Sequence, residues 1–129
     1  MSYNSNPTDR IKGPGLRKPG VARQLAAGAS SANTALTIGC ERISILCLTN
    51  PVRYSLGTTA QTADASTSHY INTGERLELD VPQHVDYSAT GDPASIDNND
   101  NYGNLLASNI AVIRDGTTDG VLEVTEFVN

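Results

Sequence analysis

The stretch Asn109-Ile-Ala-Val-Ile-Arg-Asp-Gly-Thr-Thr-Asp-Gly-Val-Leu-Glu-Val-Thr-Glu-Phe127 contains two runs of β-branched and aliphatic residues around a turn-forming segment, residues 115–119. An Asp-Gly pair between such runs is a strong hairpin signal, because glycine adopts positive φ without a steric clash. The sequence therefore predicts a closing β-hairpin with Gly116 at positive φ, against which the earlier strands pack.

Other short runs rich in β-branched and aliphatic residues recur between turn-forming residues along the chain. We predict strands at residues 22–26, 34–38, 42–49, 52–56, 69–71, 76–81, 85–88, 110–114 and 121–127. The run 42–49 is apolar on both faces in its second half, which predicts a central strand buried on both sides or a strand bent across a corner. In the run 76–81 Leu77 and Leu79 alternate with charged residues, and in the last run Leu122 and Val124 alternate with Glu and Thr, so these four side chains are predicted to face inward. Eight or nine short strands without a helical repeat predict an all-β fold of two packed antiparallel sheets, a β-sandwich.

Length and composition favour a single domain with an aliphatic core. The 129 residues include one Phe, five Tyr and no Trp, so Ile, Val, Leu and Ala must fill the interior. No apolar run approaches the roughly 18 residues that a membrane helix needs, and the first residues lack the features of a signal peptide. Cys40 and Cys47 on one extended run would lie on the order of 23 Å apart. Unless the strand begins after Cys40 and the chain doubles back, we expect free thiols and a reducing place of synthesis.

Residues 1–25 differ in charge and composition from the rest of the chain. Five basic side chains and one acidic give this segment a net charge of +4, whereas residues 26–129 carry −9. Its three Pro and three Gly residues exclude a helix or a central strand. We therefore predict an extended N-terminal arm, residues 1–25, followed by a sandwich domain, residues 26–129. The basic side chains are Arg10, Lys12, Arg17, Lys18 and Arg23.

Three interpretations of this arm are open. It is a disordered tail, a docking arm that becomes ordered along a partner or a neighbouring subunit, or a nucleic-acid-binding segment. The nucleic-acid interpretation has the least support, because five charges without interleaved aromatic residues, on an acidic body, make a weak electrostatic footprint.

Two long polar segments interrupt the strands. Residues 57–68 are predicted to form a surface loop, and residues 89–108 a polar insertion loop that reaches a neighbour or binds an ion. Within the second segment, Asp97, Asn99 and Asn101 are spaced like the first ligands of a calcium loop. The sixth and twelfth loop positions hold Tyr102 and Ser108 in place of the required Gly and Glu, so these three are weak calcium candidates and turn formation explains them better. We predict no cofactor.

Two histidines, His69 and His84, each have a carboxylate within a few residues in the sequence. A nucleophile and a base could be drawn from them, but no nucleophile elbow, Cys–His signature, zinc-ligand spacing or phosphate-binding glycine loop accompanies them. We therefore predict that the protein is not an enzyme and that no residue is catalytic.

Four strings carry a resemblance to a known group of proteins: Arg53-Tyr-Ser-Leu-Gly57, Ser66-Thr-Ser-His-Tyr-Ile71, Gly74-Glu-Arg-Leu-Glu-Leu-Asp80 and the stretch from Asn109 to Glu126. Together they resemble a recurring pattern in small virion structural proteins of tailed bacteriophages. The likeness covers residues 42–88 and 109–127. The segment 88–108 and the basic arm depart from it.

The resemblance implies a jelly-roll-like β-sandwich displayed on the phage head as a decoration, or cement, protein. It implies synthesis in the host cytoplasm, a place on the capsid surface of the virion, the major capsid protein as partner, and a homo-oligomer, with a trimer expected at threefold positions. We expect the basic arm to lie across adjoining capsid subunits, and no nucleic-acid or membrane partner. The alternative is a tail or receptor-binding accessory protein that contacts glycans through exposed aromatic residues such as Tyr87 and Tyr102.

Overall fold

A computed structural model describes residues 18–86 and 104–128 of the chain. This part of the protein is built from β-strands and contains no helix. The strands are β1 (Lys18–Ala27), β2 (Ala32–Ala35), β3 (Arg42–Cys47), β4 (Val52–Gly57), β5 (His69–Ile71), β6 (Arg76–Asp80), β7 (His84–Asp86), β8 (Asn104–Leu106), β9 (Asn109–Arg114) and β10 (Gly120–Val128). The all-β prediction is confirmed.

The strands form two four-stranded sheets and one two-stranded ribbon. The first sheet has the order β1-β10-β3-β6, the second sheet has the order β2-β9-β4-β5, and β7 pairs with β8. All of these pairs are antiparallel. The prediction of two antiparallel sheets is confirmed, and the predicted central strand, β3, lies inside the first sheet between β10 and β6.

The two sheets share one hydrophobic core. The first sheet contributes alternate residues of its central strands and the second sheet does the same, because successive side chains of a strand point to opposite faces. This sharing gives the molecule a sandwich-like arrangement, and it confirms that Leu122 and Val124 face inward. The fully buried members of the core are Ala27, Ile43, Ile45, Cys47, Leu122 and Val124 from the first sheet and Val52, Ile71, Ile110 and Val112 from the second.

The edge strand β6 also follows its predicted pattern. Leu77 and Leu79 are half-buried and pack against the core, whereas the charged residues of the strand are exposed. Val81, just after the strand, is buried. Strand β6 therefore has one solvated face, as its alternating sequence predicts.

The predicted closing hairpin is wrong. Strand β9 pairs with β2 and β4, whereas β10 pairs with β1 and β3, so the two strands lie in different sheets. Both strands carry buried aliphatic side chains, Ile110 in β9 and Leu122 in β10, and these belong to the one core that the two sheets share. Residues 115–119 cross from one sheet to the other, held by a hydrogen bond from the Asp115 N–H to the Pro51 carbonyl oxygen at 3.1 Å.

Gly116 does not have the positive φ that the sequence predicts, and two other glycines do. Among the described residues they are Gly39, at 85°, and Gly74, at 82°. Gly39 lies in the turn before β3, and Gly74 lies in the tight turn that joins β5 to β6 across the two sheets. Because residues 115–119 connect two sheets rather than two paired strands, no primed hairpin turn is needed and Gly116 has no positive φ.

The predicted boundary between arm and domain at residue 25 needs correction. Strand β1 begins at Lys18 and pairs with β10 as far as Ala27, so residues 18–25 belong to the first sheet. The pairing is irregular between Pro19 and Ala22, and Pro19 has no backbone N–H to donate to the neighbouring strand. The position at the sheet edge fits the Pro and Gly content of this segment. Residues 1–17 lie outside the described part of the chain.

Strand β8 was not predicted from the sequence. It lies at the end of the predicted 89–108 loop and pairs with β7, so the predicted loop extends too far. Residues 87–103, between the two strands, lie outside the described residues.

The predicted surface loop between β4 and β5 folds over the outer face of the second sheet. The Ser55 hydroxyl donates to Gln61 Oε1 at 2.6 Å, and the Gln61 N–H donates to Asn33 Oδ1 at 2.9 Å. Ala111, on that outer face opposite Ser55, is fully buried as a result. The loop thus adds a small third layer to one side of the molecule.

Candidate partner-binding surface

The predicted contact residues lie before or within strand β1. We call the end of the first sheet at which β1 begins the Lys18 end. Lys18 is the cross-strand partner of Val128, and Phe127 pairs with Arg42, so β1 begins where β10 ends and β3 begins. Lys18 itself is exposed. The other basic residues of the predicted arm, Arg10, Lys12 and Arg17, lie outside the described residues, as do the tyrosines Tyr87 and Tyr102.

Exposed aliphatic side chains lie at the same end. Ile38, in the loop between β2 and β3, has 60% of its surface exposed, Val21 in β1 has 43%, and Leu105 in β8 has 41%. A Cβ added at Gly39 would lie 3.7 Å from Leu105 Cδ2, so the loop that carries Ile38 lies close to β8. Large exposed aliphatic side chains grouped at one place are typical of interaction surfaces.

Arg23, a predicted contact residue, is bound within its own chain. Its Nε donates to Glu126 Oε2 at 3.1 Å, and the Thr37 N–H donates to the same oxygen at 3.1 Å. The Glu126 side chain is only 1% exposed, compared with 27% for Arg23. Arg23 therefore attaches β1 to β10, and we remove it from the predicted set of contact residues.

Glu126 was missed by the sequence analysis although the sequence carries a signal for it. It follows Leu122 and Val124 at the same two-residue spacing and is fully buried like them. Its Oε1 has no hydrogen-bond partner among the described residues. A charged residue at an inward position requires an opposite charge nearby, and Arg23 is the candidate in the neighbouring strand.

The two cysteines are free, as predicted, and both are buried. Burial raises the pKa of the Cys40 thiol, and the negative charge of Glu126 adds to that effect. Burial likewise raises the pKa of Cys47, whose Sγ donates a hydrogen bond to the Asn50 carbonyl oxygen at 2.9 Å. A raised pKa keeps each thiol protonated at neutral pH, which is the less reactive form.

His69 and its nearest acidic residue are engaged in separate local contacts. The His69 ring centroid lies 5.4 Å from that of Tyr54, with the two rings tilted by 35°. Asp64 instead accepts hydrogen bonds from the N–H groups of Ser66, at 2.7 Å, and Thr67, at 3.0 Å, which lower the pKa of Asp64. Asp64 therefore stabilises the turn at residues 65–67. The structure describes only the backbone of His84, which begins β7.

A second exposed surface lies on the outer face of the second sheet. The Arg53 guanidinium carbon lies 5.1 Å from the ring centroid of Tyr70, whose surface is 44% exposed. Arg53 also donates to Asp115 Oδ1 at 2.8 Å and to the Ser68 carbonyl oxygen at 2.9 Å. These bonds fix the guanidinium, so the tyrosine ring is held against a rigid neighbour.

The described ranges hold neither a grouped set of metal-binding side chains nor a membrane-spanning helix. Within residues 18–86 and 104–128, no group of three or more His, Cys, Asp or Glu side chains is placed to hold a metal ion. The weak calcium candidates Asp97, Asn99 and Asn101 lie outside these ranges. No helix in the same ranges is long and apolar enough to span a membrane.

Comparison with protein families, with curated proteins and with solved structures found no match for the chain.

Proposed function

We propose that the protein is a bacteriophage capsid decoration (cement) protein that binds the head exterior and stabilises contacts between capsid subunits. The observation that carries the proposal is the position of β1. The basic residues 1–17 lead directly into this edge strand at the Lys18 end, where Ile38, Val21 and Leu105 are exposed. Apolar surface and positive charge therefore meet at one end of an acidic body.

The proposed fold within this class is a jelly roll, in which two Greek keys place the first strand beside the last and alternate the chain between two sheets. Support comes from the strand order. Strand β1 lies beside β10 in the first sheet, and the connections β1 to β2, β3 to β4, and β9 to β10 each change sheet. The eight strands other than β7 and β8 fit this scheme. Jelly rolls are common in viral capsid and lectin domains.

The proposed mechanism separates the chain into a contact segment and a body. Residues 1–17 hold three basic side chains and one acidic, a net charge of +2, and the remaining residues hold six basic and thirteen acidic, a net charge of −7. The contact residues are Arg10, Lys12, Arg17 and Lys18. They bind acidic surface of the major capsid protein on both sides of a joint between subunits.

Repetition over a symmetric shell makes such a contact effective. A weak contact repeated by many copies, or by a homo-oligomer of this chain, raises the total free energy needed to separate two capsid subunits. The acidic body then faces outward, so the exterior carries like charges on neighbouring copies. The proposed location is accordingly the outer surface of the virion head.

The test is binding to empty shells assembled from the major capsid protein of the same virus, measured by co-sedimentation. A chain lacking residues 1–17 keeps all of β1, and the triple substitution Arg10→Gln, Lys12→Gln and Arg17→Gln removes three positive charges. We expect both to reduce binding by at least tenfold and to weaken its dependence on salt concentration.

A matched control adds three negative charges elsewhere. Thr59→Asp, Ala60→Asp and Ala65→Asp alter the net charge by the same amount, at exposed positions of the loop between β4 and β5. This control is expected to bind shells like the unmodified protein. Full shell binding by the chain without residues 1–17 would refute the proposed mechanism, and absence of shell binding by the unmodified protein would refute the function.

The second candidate function is a tail or receptor-binding accessory protein that binds glycans. The observation that favours it is the exposed Tyr70 ring held by Arg53, since sugar rings stack on immobilised aromatic side chains. A glycan array distinguishes the two functions. If this candidate is correct, Tyr70→Phe retains glycan binding and Tyr70→Ala loses it, whereas a decoration protein binds no glycan on the array.

A further inference from the structure

The free edges of the two sheets differ in how well they are protected against pairing with another chain. An exposed edge strand offers unpaired N–H and C=O groups, and proteins block such edges with short strands or charged side chains. Among the described strands, β2 and β5 are edges of only four and three residues. Strand β6 has five residues and carries the exposed charges of Arg76, Glu78 and Asp80. These three edges are protected.

The remaining edge, β1, has Lys18 and Pro19 at its start but lacks this protection beyond them. Strand β1 has ten residues. Its pairing with β10 is irregular between Pro19 and Ala22, and the rest of the segment 21–27 pairs regularly. The one charged residue in that segment is Arg23, whose guanidinium binds Glu126 on its own chain. The exposed side chains are small or uncharged, namely Ala22, Gln24 and Ala26.

We propose that the β1 edge pairs with β1 of a second copy of this chain, antiparallel about a twofold axis centred on Gln24. A strand paired with itself in this way is self-complementary, because each contact occurs twice. Gln24 then lies opposite Gln24, and the two side-chain amides can donate to and accept from each other. The two first sheets join into one continuous sheet of eight strands.

The side chains that this register places opposite each other favour a second copy of the chain as the partner of the β1 edge. Ala22 lies opposite Ala26, and these small side chains leave room for the backbones to pair. Val21 lies opposite Ala27, so the pairing covers part of an exposed aliphatic side chain. No acidic side chain lies in the paired segment, so the net negative charge of each copy stays away from the contact. A twofold pairing gives a dimer in place of the trimer that the phage resemblance implies.

The first test is the molar mass of the full chain in solution, measured by light scattering across a range of concentrations. We expect a dimer of the 13.6 kDa chain. The substitution Gln24→Lys places like charges opposite each other in the dimer, while within one chain the new lysine faces Glu123 of β10 and preserves the fold. Combined with Ala22→Lys and Ala26→Lys, it should raise the dimer dissociation constant by more than about tenfold.

The matched control adds three lysines at Thr59, Ala60 and Ala65, on the loop between β4 and β5, and should leave the dimer intact. Disulfide trapping gives a second measurement that does not depend on charge. Gln24→Cys should form a covalent dimer under mild oxidation, because opposed Cα atoms in antiparallel strands lie within disulfide reach. Ala60→Cys should not. A monomeric or trimeric mass for the unmodified chain, an unchanged dimer with the three β1 lysines, or no trapping through Cys at position 24 would each overturn the proposal.

Discussion

Arg23 and Glu126 form a diagonal ion pair between neighbouring strands. Arg23 lies opposite Val124, and its Nη2 lies 3.1 Å from Oε2 of Glu126, two residues further along β10. The glutamate is buried while the arginine is partly exposed, so the positive charge reaches inward from the sheet edge. This pair joins the first strand of the described chain to the last.

Removing the arginine should destabilise the fold more than an exposed ion pair would suggest. Arg23→Ala leaves the Glu126 carboxylate buried without its counter-charge, and we expect the free energy of unfolding to fall by about 2 to 3 kcal/mol. Chemical denaturation measures this change. Arg42→Ala is the control, because its partners Glu78 and Asp80 are exposed and the expected loss is below about 1 kcal/mol. Equal losses from the two variants would contradict the assigned role of Glu126.

Gly120 at the start of β10 should not tolerate a side chain. A Cβ there would lie 2.6 Å from the Asn50 carbonyl oxygen and 2.9 Å from Val52 Cγ2. Because the nearer atom is backbone, relief requires a shift between the sheets, and Gly120→Ala should lower the free energy of unfolding by about 1 to 3 kcal/mol. Gly116→Ala meets no atom within 4 Å and should be neutral or slightly stabilising. Thermal melting of both variants compares them directly.

Stability should fall in alkaline solution. Burial raises the pKa of Cys40 and Cys47 above the usual 9.0, and that of Tyr54 above 10.0. The folded state binds these protons more tightly than the unfolded chain does. The stability that they contribute is therefore fully present below the usual pKa values, and it is lost as pH rises through the pKa values of the folded state. Urea unfolding from pH 7 upward measures the loss. Cys40→Ala should lower stability at pH 7 but flatten its decrease above about pH 9. An unchanged slope would argue against a role for this thiol.

Arg53 should not be replaceable by lysine. Its guanidinium donates to Asp115 and to the Ser68 carbonyl oxygen while lying over Tyr70, and an ammonium group cannot make all of these contacts at once. We expect Arg53→Lys to lower the free energy of unfolding by about 1 kcal/mol and to speed hydrogen exchange in the loop that precedes β5. Arg114→Lys, whose partner Asp119 is 71% exposed, should have little effect.

The strand positions were predictable because the signal is local. Alternation in the runs that became β6 and β10 indicated which side chains face the core, and seven of the nine predicted strands overlap observed strands by three or more residues. The exceptions are the run at 34–38, which shares only Thr34 and Ala35 with β2, and the run at 85–88, which shares only Val85 and Asp86 with β7. Strand β8 has only three residues, too few to show a period, and so the sequence predicts a loop there.

Strand pairing was not predictable in the same way. An Asp-Gly pair between two aliphatic runs fits both a hairpin and a connection between sheets, and only the long-range partners of β9 and β10 decide between them. The partner of Glu126 was hidden for a related reason. Arg23 lies 103 positions away in sequence, in a Pro- and Gly-rich segment whose composition predicts an arm rather than a strand.

The pairing of Lys18 with Val128 places the two ends of the described chain side by side. In a variant that lacks residues 1–17 and Asn129, a short turn could therefore join Lys18 to Val128, and new ends could be opened within residues 115–119 without interrupting any strand. Such a circularly permuted protein would keep its architecture while moving its ends to the opposite pole of the molecule. A tag or cargo fused there would project away from whatever surface the native N-terminal segment touches.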